Sequence, residues 1–184
     1  MKKLFTLLAV LCVASSSFAQ TPLFKAGDEV VSLGVGIGSD YGMPISVSYE
    51  MGYLDLDSKS TIGIGGTIAY AHENFNDETG NIFDSYAYNG LTIAATGSYH
   101  YDLVDGFDLF ATAAVGYTMA QISASKNDVS GSLADNAFYY GISVGGRYYF
   151  SDDLAAHVKL GATATSFLEV GVSYRFSVKS LLGK

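Results

Sequence analysis

Leu168-Glu169-Val170-Gly171-Val172-Ser173-Tyr174-Arg175-Phe176 is the stretch that decides the fold, because large apolar residues occupy every second position. The residues between them are small, polar or charged. Successive side chains of a β-strand point to opposite faces, so this pattern predicts a strand with one face suited to lipid and the other to a crowded polar interior. The same alternation recurs about eight times along the chain.

A secretory leader opens the chain. Lysines stand at positions 2 and 3, an apolar run covers residues 4–13, and Ser17-Phe18-Ala19 forms a small-x-small cleavage site. These features are typical of a signal peptide, and the apolar run is too short to span a bilayer. We therefore expect residues 1–19 to be removed by cleavage before Gln20, which leaves residues 20–184 as a single domain.

Cysteine usage and composition narrow the class of protein. The only cysteine, Cys12, lies in the leader and follows Leu11, where a lipoprotein leader would have a small residue. The mature domain would then contain no thiol for a disulfide or for cysteine catalysis. Only 15% of the chain is charged, against roughly 25% in soluble domains. No apolar run of about 20 residues follows the leader, so a closed β-barrel is the spanning structure that the sequence allows.

Eight strands are predicted, and they account for most of residues 29–177. Their expected ranges are 29–38, 44–54, 60–72, 86–101, 108–121, 137–150, 154–163 and 167–177. The predicted fold is all-β: an eight-stranded antiparallel up-and-down transmembrane β-barrel.

The lengths of the connections predict the orientation of the barrel. Short turns at 55–59, 103–107 and 151–153 alternate with longer connections, of which 73–85 and 125–136 are polar and the longest. Outer-membrane barrels have short periplasmic turns and longer external loops. Both chain ends are therefore expected in the periplasm, with residues 178–184 as a short periplasmic tail.

The charged residues of the strands share one phase. They lie opposite the large apolar residues, at Glu50, His100, Arg147, His157, Lys159, Glu169 and Arg175. A charge that faces lipid at mid-depth costs about 2–4 kcal/mol, so this phase is predicted to face the barrel axis. We predict that these residues form a polar network that fills the lumen. A soluble lipocalin-like barrel or sandwich is the alternative, but its outer surface would then carry few charges to keep it in solution.

Aromatic residues recur near the predicted periplasmic ends of the even-numbered strands. They are Tyr49, Tyr53, Tyr99, Tyr101, Tyr148, Phe150, Tyr174 and Phe176. Tyrosine and phenylalanine are enriched at the lipid headgroup level because their rings are apolar at one end and tolerate water at the other. The pattern predicts a periplasmic aromatic girdle.

The export leader, the eight strands, the Tyr-x-Tyr/Phe strand ends and the final Tyr174-Arg175-Phe176 resemble the small OmpA/OmpX-type outer-membrane β-barrel family. The resemblance covers nearly all of residues 24–177. It implies an integral protein of the Gram-negative outer membrane, inserted by the barrel-assembly machinery, which reads an aromatic-ended last strand. The sequence departs from the family pattern because Ser177–Lys184 follow that aromatic residue. No peptidoglycan-binding domain follows either.

Nothing in the sequence predicts catalysis, a cofactor or a metal. Some barrels of this kind modify lipids, and His72-Glu73 with Asp84-Ser85 is the closest approach to a nucleophile with a base. The acidic residues of the long connections lack the regular spacing of a calcium loop. The formal net charge of −8 falls to about −10 once the two leader lysines are removed, so nucleic-acid binding is not expected.

The expected role is structural or interactive. The barrel would sit among outer-membrane lipids and present the connections 73–85 and 125–136 to a surface partner. One alternative is porin-like passage of small or apolar solutes. An eight-stranded barrel is only just wide enough to be filled by side chains, which favours a structural role for the inward charges. A sharper alternative is that these charges form a gated path for protons or ions.

Overall fold

The computed structural model describes residues 23–37, 42–76, 85–126, 129–164 and 166–177. The predicted signal peptide and the predicted tail lie outside these residues. The strands are β1 Asp28–Ile37, β2 Ile45–Asp55, β3 Ser60–Asn76, β4 Ser85–Val104, β5 Phe107–Lys126, β6 Val129–Tyr149, β7 Leu154–Gly161 and β8 Leu168–Ser177. Among the described residues no helix is long and apolar enough to cross a membrane.

The eight strands close into a ring in which every neighbouring pair is antiparallel. The ring is completed by β1 and β8, which pair from Asp28↔Ser177 to Ile37↔Leu168. Closure leaves no strand edge within the ring, which is the condition for a sheet to cross lipid. The predicted eight-stranded antiparallel barrel is confirmed.

Side chains sort by phase as the alternation predicts. Large apolar residues such as Leu33, Val47 and Val172 are about half exposed on the outside of the ring. The buried positions inside the ring are mostly small or polar, and Ser32, Thr92 and Ser173 are examples. The barrel therefore has an apolar exterior and a polar interior, the reverse of a soluble barrel.

Both ends of the described chain lie at one end of the barrel. The connections at this end are short and cover residues 56–59, 105–106 and 150–153, so we call it the short-turn end. In the first turn the backbone N–H of Lys59 donates to Asp57 over 2.8 Å, which lowers the pKa of that carboxyl below its ordinary value. In the second turn Gly106 has φ of 79°, a conformation that glycine adopts without strain.

The prediction for residues 125–136 is wrong. This segment was predicted as a loop, but β5 continues to Lys126 and β6 begins at Val129, with these two residues paired. The connection at 73–85 is also shorter than predicted, since β3 runs to Asn76 and β4 begins at Ser85. The pattern failed here because these strand ends do not carry the apolar alternation that lipid on one face imposes, and they are held by pairing with each other.

Candidate functional site: the polar interior of the barrel

The first cluster of charged residues lies in the lumen near the short-turn end. His100 on β4 joins two carboxylates: its Nε2 lies 3.0 Å from Glu50 Oε1, and its Nδ1 lies 2.9 Å from Asp108 Oδ2. Arg147 on β6 donates to the same two residues, over 3.1 Å to Glu50 and 3.2 Å to Asp108. An ionised carboxylate only accepts hydrogen bonds, so both ring nitrogens of His100 donate and the ring is an imidazolium. The cluster then balances two carboxylates with two cations, the guanidinium and the imidazolium.

Asp108 belongs to this cluster and was not among the predicted site residues. It is fully buried, and it is the first residue of the predicted strand 108–121, two residues after the turn at Asp105-Gly106. The alternation of the strand could have indicated that Asp108 points into the lumen, because its neighbour Leu109 is apolar and points outward. A buried pair of charges needs its full set of partners, and Asp108 supplies the second carboxylate.

The second cluster lies on β7 and β8. Lys159 Nζ lies 2.7 Å from Glu169 Oε1, and the Ser46 hydroxyl donates to Glu169 Oε2 over 2.9 Å. His157 Nδ1 lies 2.9 Å from the Ser173 hydroxyl. The other ring nitrogen of His157 lies 3.4 Å from Glu169, a distance within ion-pair range but without hydrogen-bond geometry. The neutral form of His157 suits this position, because Lys159 already balances the carboxylate.

Arg175 does not join either cluster. Its guanidinium donates to the backbone carbonyls of Leu23 and Asp152 at the short-turn end. It also lies over the ring of Tyr149, with 4.8 Å between the guanidinium carbon and the ring centre. Of the seven predicted network residues, the structure therefore brings six into two clusters and places Arg175 at the mouth of the barrel.

A cavity of about 50 Å³ is lined by residues of both clusters. They are Glu50 and Arg147 of the first cluster and Lys159 and Glu169 of the second. A water molecule needs roughly 10–15 Å³ of such volume and several polar partners, so the cavity has room for a few waters. It is too small for an organic solute.

Glycines on the inward phase make room for the ionic side chains. A Cβ at Gly34 would lie 2.7 Å from the Glu169 carboxyl carbon and from the Ser46 hydroxyl oxygen. A Cβ at Gly145 would lie 2.5 Å from the ring of Phe110. The small residues of the alternating pattern are therefore needed for space, since the interior is already occupied by larger neighbours.

The predicted aromatic girdle residues lie on the outer phase. Five of them are exposed, and three are half-buried: Tyr49, Tyr53, Tyr99, Phe150 and Tyr174 form the first set, and Tyr101, Tyr148 and Phe176 the second. The rings of Tyr174 and Phe176 stack with 6.2 Å between their centres. Tyr49 and Tyr174 both pair with Val31, the fourth residue of β1.

The place that the sequence singled out for nucleophilic catalysis is described only in part. His72 Nδ1 lies 2.8 Å from the Asn89 side-chain oxygen, and its Nε2 lies 3.1 Å from the Asn74 amide nitrogen. Asp84 lies outside the described residues. No group of three or more histidine, cysteine or acidic residues that could hold a metal ion occurs in the described part of the chain.

Comparisons with known proteins agree on the fold. No family model and no curated protein sequence matches the chain. A de novo designed transmembrane β-barrel is 14% identical and has a TM-score of 0.51, over 83% of this chain and 98% of the designed one.

Natural outer-membrane proteins are similar to the same extent. Ail, the attachment invasion locus protein of Yersinia pestis, in complex with a heparin analogue, is 12% identical with a TM-score of 0.50, over 82% of this chain and 99% of Ail. The N-terminal β-barrel domain of Pseudomonas aeruginosa OprF is 14% identical with a TM-score of 0.49, over 82% of this chain and 98% of that domain. The chain has the eight-stranded transmembrane fold of the small outer-membrane β-barrel proteins.

Proposed function

We propose that this chain is a non-catalytic protein of the Gram-negative outer membrane, which binds a surface partner through an extended part of its barrel wall. The export leader and the barrel fold support the location. The orientation proposed from the short turns places the long strands outside the cell. The ion pairs that line the lumen around a small cavity support a structural role for the interior.

The observation that carries this proposal is the unequal length of the strands. Strands β3 to β6 have 17 to 21 residues, whereas β7, β8, β1 and β2 have 8 to 11. About 9–11 tilted residues are enough to cross a bilayer. Strands β3 to β6 therefore continue beyond the membrane as a four-stranded sheet, which we call the protruding wall.

Among the described residues, no strand pairs with the outer side of β6 along the protruding wall, and we call this side the free edge. Pairing between β6 and β7 stops at Ser143↔Gly161, and one further bond joins the Ala162 N–H to the Ile142 carbonyl. Backbone N–H and C=O groups of an antiparallel strand point alternately to either side, so those of the even-numbered residues from 130 to 140 point away from β5. Such a row of donors and acceptors is a template for an added strand.

The free edge lacks the features that protect edges in other proteins. Between residues 129 and 142 there is no proline, no lysine and one charge, at Asp135. The side chains of three apolar residues on this edge are strongly exposed: Leu133 at 75%, Phe138 at 67% and Tyr140 at 77%. The connection between β3 and β4, residues 77–84, carries three acidic residues and no basic one. The chemistry fits an extended, partly apolar segment of a partner protein with basic residues.

The rival function, passage of solutes, receives less support from the interior. Ion pairs of both clusters line the cavity, and moving a solute past them would separate buried charges. A surface interaction uses the part of the barrel that exceeds the length required for spanning. It is therefore the function that the geometry favours.

A proline at an outward-pointing position of the edge tests the proposal. Ala134 is one of the even-numbered residues whose backbone N–H points away from β5. Ala134→Pro therefore removes one N–H from the free side of β6 and leaves the bonds to β5 in place. The probe is a short synthetic peptide that alternates valine and threonine and ends in lysines. We expect it to bind the protein in detergent micelles, and we expect Ala134→Pro to weaken binding about tenfold.

The matched control is Ala134→Ser, which keeps the backbone N–H and should bind as the parent does. Folding of each variant is checked by the shift of electrophoretic mobility on boiling. Equal binding to the parent and to folded Ala134→Pro would show that the edge is not the binding surface, and so would no binding to either.

A further inference from the structure

The residues that precede β1 fold into the mouth of the barrel at the short-turn end. The side chain of Phe24 is 1% exposed, and its ring centre lies 4.3 Å from that of His100. The guanidinium carbon of Arg147 lies 5.9 Å from the Phe24 ring and 5.2 Å from that of Phe110. The aromatic ring therefore covers the first ionic cluster from the short-turn side.

The segment Leu23–Gly27 is held by bonds to several strands. Leu23 N–H donates to Asp102 on β4 over 3.1 Å, and Ala26 N–H donates to Asp55 on β2 over 2.7 Å. The Thr61 hydroxyl on β3 donates to the Phe24 carbonyl over 2.9 Å. These bonds attach the segment to the inside of the barrel, but they do not make it a strand of the sheet.

The inner surface of the barrel leaves room for this segment at β2. Gly52 on the inward phase of β2 is buried, and a Cβ placed there would lie 2.0 Å from the Lys25 carbonyl oxygen. Gly27 joins the segment to β1 with φ of 91°, which lets the chain turn from the mouth into the strand. An alanine at Gly52 would thus meet the segment directly without altering any side chain of the ionic cluster.

We propose that Leu23–Gly27 is a stopper that closes the lumen at the short-turn end. It keeps water and small cations away from Glu50 and Asp108, and its displacement admits them to the cluster. This goes beyond the proposed surface interaction, since it concerns the opposite end of the barrel. One backbone bond, from the Gly27 N–H to the Gly52 carbonyl over 2.9 Å, joins the last residue of the stopper to β2. The residues before Gly27 are attached by side-chain and turn bonds, so they can leave the mouth without unpairing the barrel.

The three histidines of the chain provide the test, because they occupy three different environments. Exchange of the imidazole N–H protons with solvent is followed by nuclear magnetic resonance in detergent micelles. In the parent protein we expect slow exchange at the buried His100 and His157 and fast exchange at the exposed His72. In Gly52→Ala, exchange at His100 should rise about tenfold or more, while exchange at His157 in the second cluster stays the same.

The matched control is Gly97→Ala on β4, where a Cβ has nothing within 4 Å and no exchange rate should change. Phe24→Gly is the second variant, and it replaces Gly52→Ala if that protein does not fold. The same result is expected of it: faster exchange at His100 and unchanged exchange at His157. The proposal is overturned if His100 exchanges as fast as His72 in the parent. It is also overturned if His100 is unaffected in a folded variant, or if His100 and His157 accelerate together.

Discussion

Arg147→Ala should destabilise the barrel by about 3–5 kcal/mol, the largest effect that we expect from a single substitution. The guanidinium is 3% exposed and bonds both Glu50 and Asp108. Its removal leaves two carboxylates in the lumen with His100 as their only cationic partner among the described residues. An unpaired buried charge keeps its desolvation cost and loses the attraction that offset it.

The measurement is urea unfolding of the protein in lipid vesicles, with the folded fraction determined by electrophoresis without boiling. The control replaces the charges together, as Glu50→Gln, Asp108→Asn and Arg147→Met. Neutral groups of similar volume should recover most of the lost stability, because no uncompensated charge remains. A loss below about 1 kcal/mol for Arg147→Ala alone would show that water solvates the cluster.

Val47→Arg should cost about 2–4 kcal/mol, because it places a charge against the lipid. Val47 is 50% exposed on the outer phase of β2, and it pairs with Leu33 in the middle of β1 and with Ile68. Its neighbours on both adjacent strands are therefore apolar residues of the outer phase as well. The same vesicle unfolding assay measures the effect.

Leu133→Arg is the matched control for this substitution. Leu133 is more exposed than Val47, at 75%, but it lies on the protruding wall beyond the last pairing with β7. A surface substitution outside the membrane usually changes stability by less than about 0.5 kcal/mol. Similar costs at the two positions would contradict the proposed membrane boundary.

How much of the fold could be predicted differs between the two halves of the barrel. For β1, β2, β7 and β8, the predicted ranges agree with the structure to within two residues at each end. These strands have little length beyond what the membrane requires, so lipid on one face imposes alternation along their length. For β6 the predicted start at 137 is eight residues late, because alternation is not required of a strand in water.

The candidate site was predictable in part, for a similar reason. Phase alone indicates which residues point toward the axis, and the structure places Glu50, Arg147 and Glu169 there. Phase does not reveal which carboxylate meets which cation, because pairing depends on the stagger between strands. The stopper left no periodic signal, since Leu23–Gly27 is too short for a pattern and is recognised only by its contacts with β2, β3 and β4.

The central claim is that apolar side chains of the strands face lipid and that polar ones face the axis. Nitroxide labels at single cysteines placed at each position from 45 to 49 on β2, in the protein in vesicles, test it most directly. Collision with oxygen, which concentrates in the hydrocarbon, should be high at Ile45, Val47 and Tyr49 and low at Ser46 and Ser48. Maxima at the serine positions, or high collision with a water-soluble nickel chelate at Val47, would contradict the account.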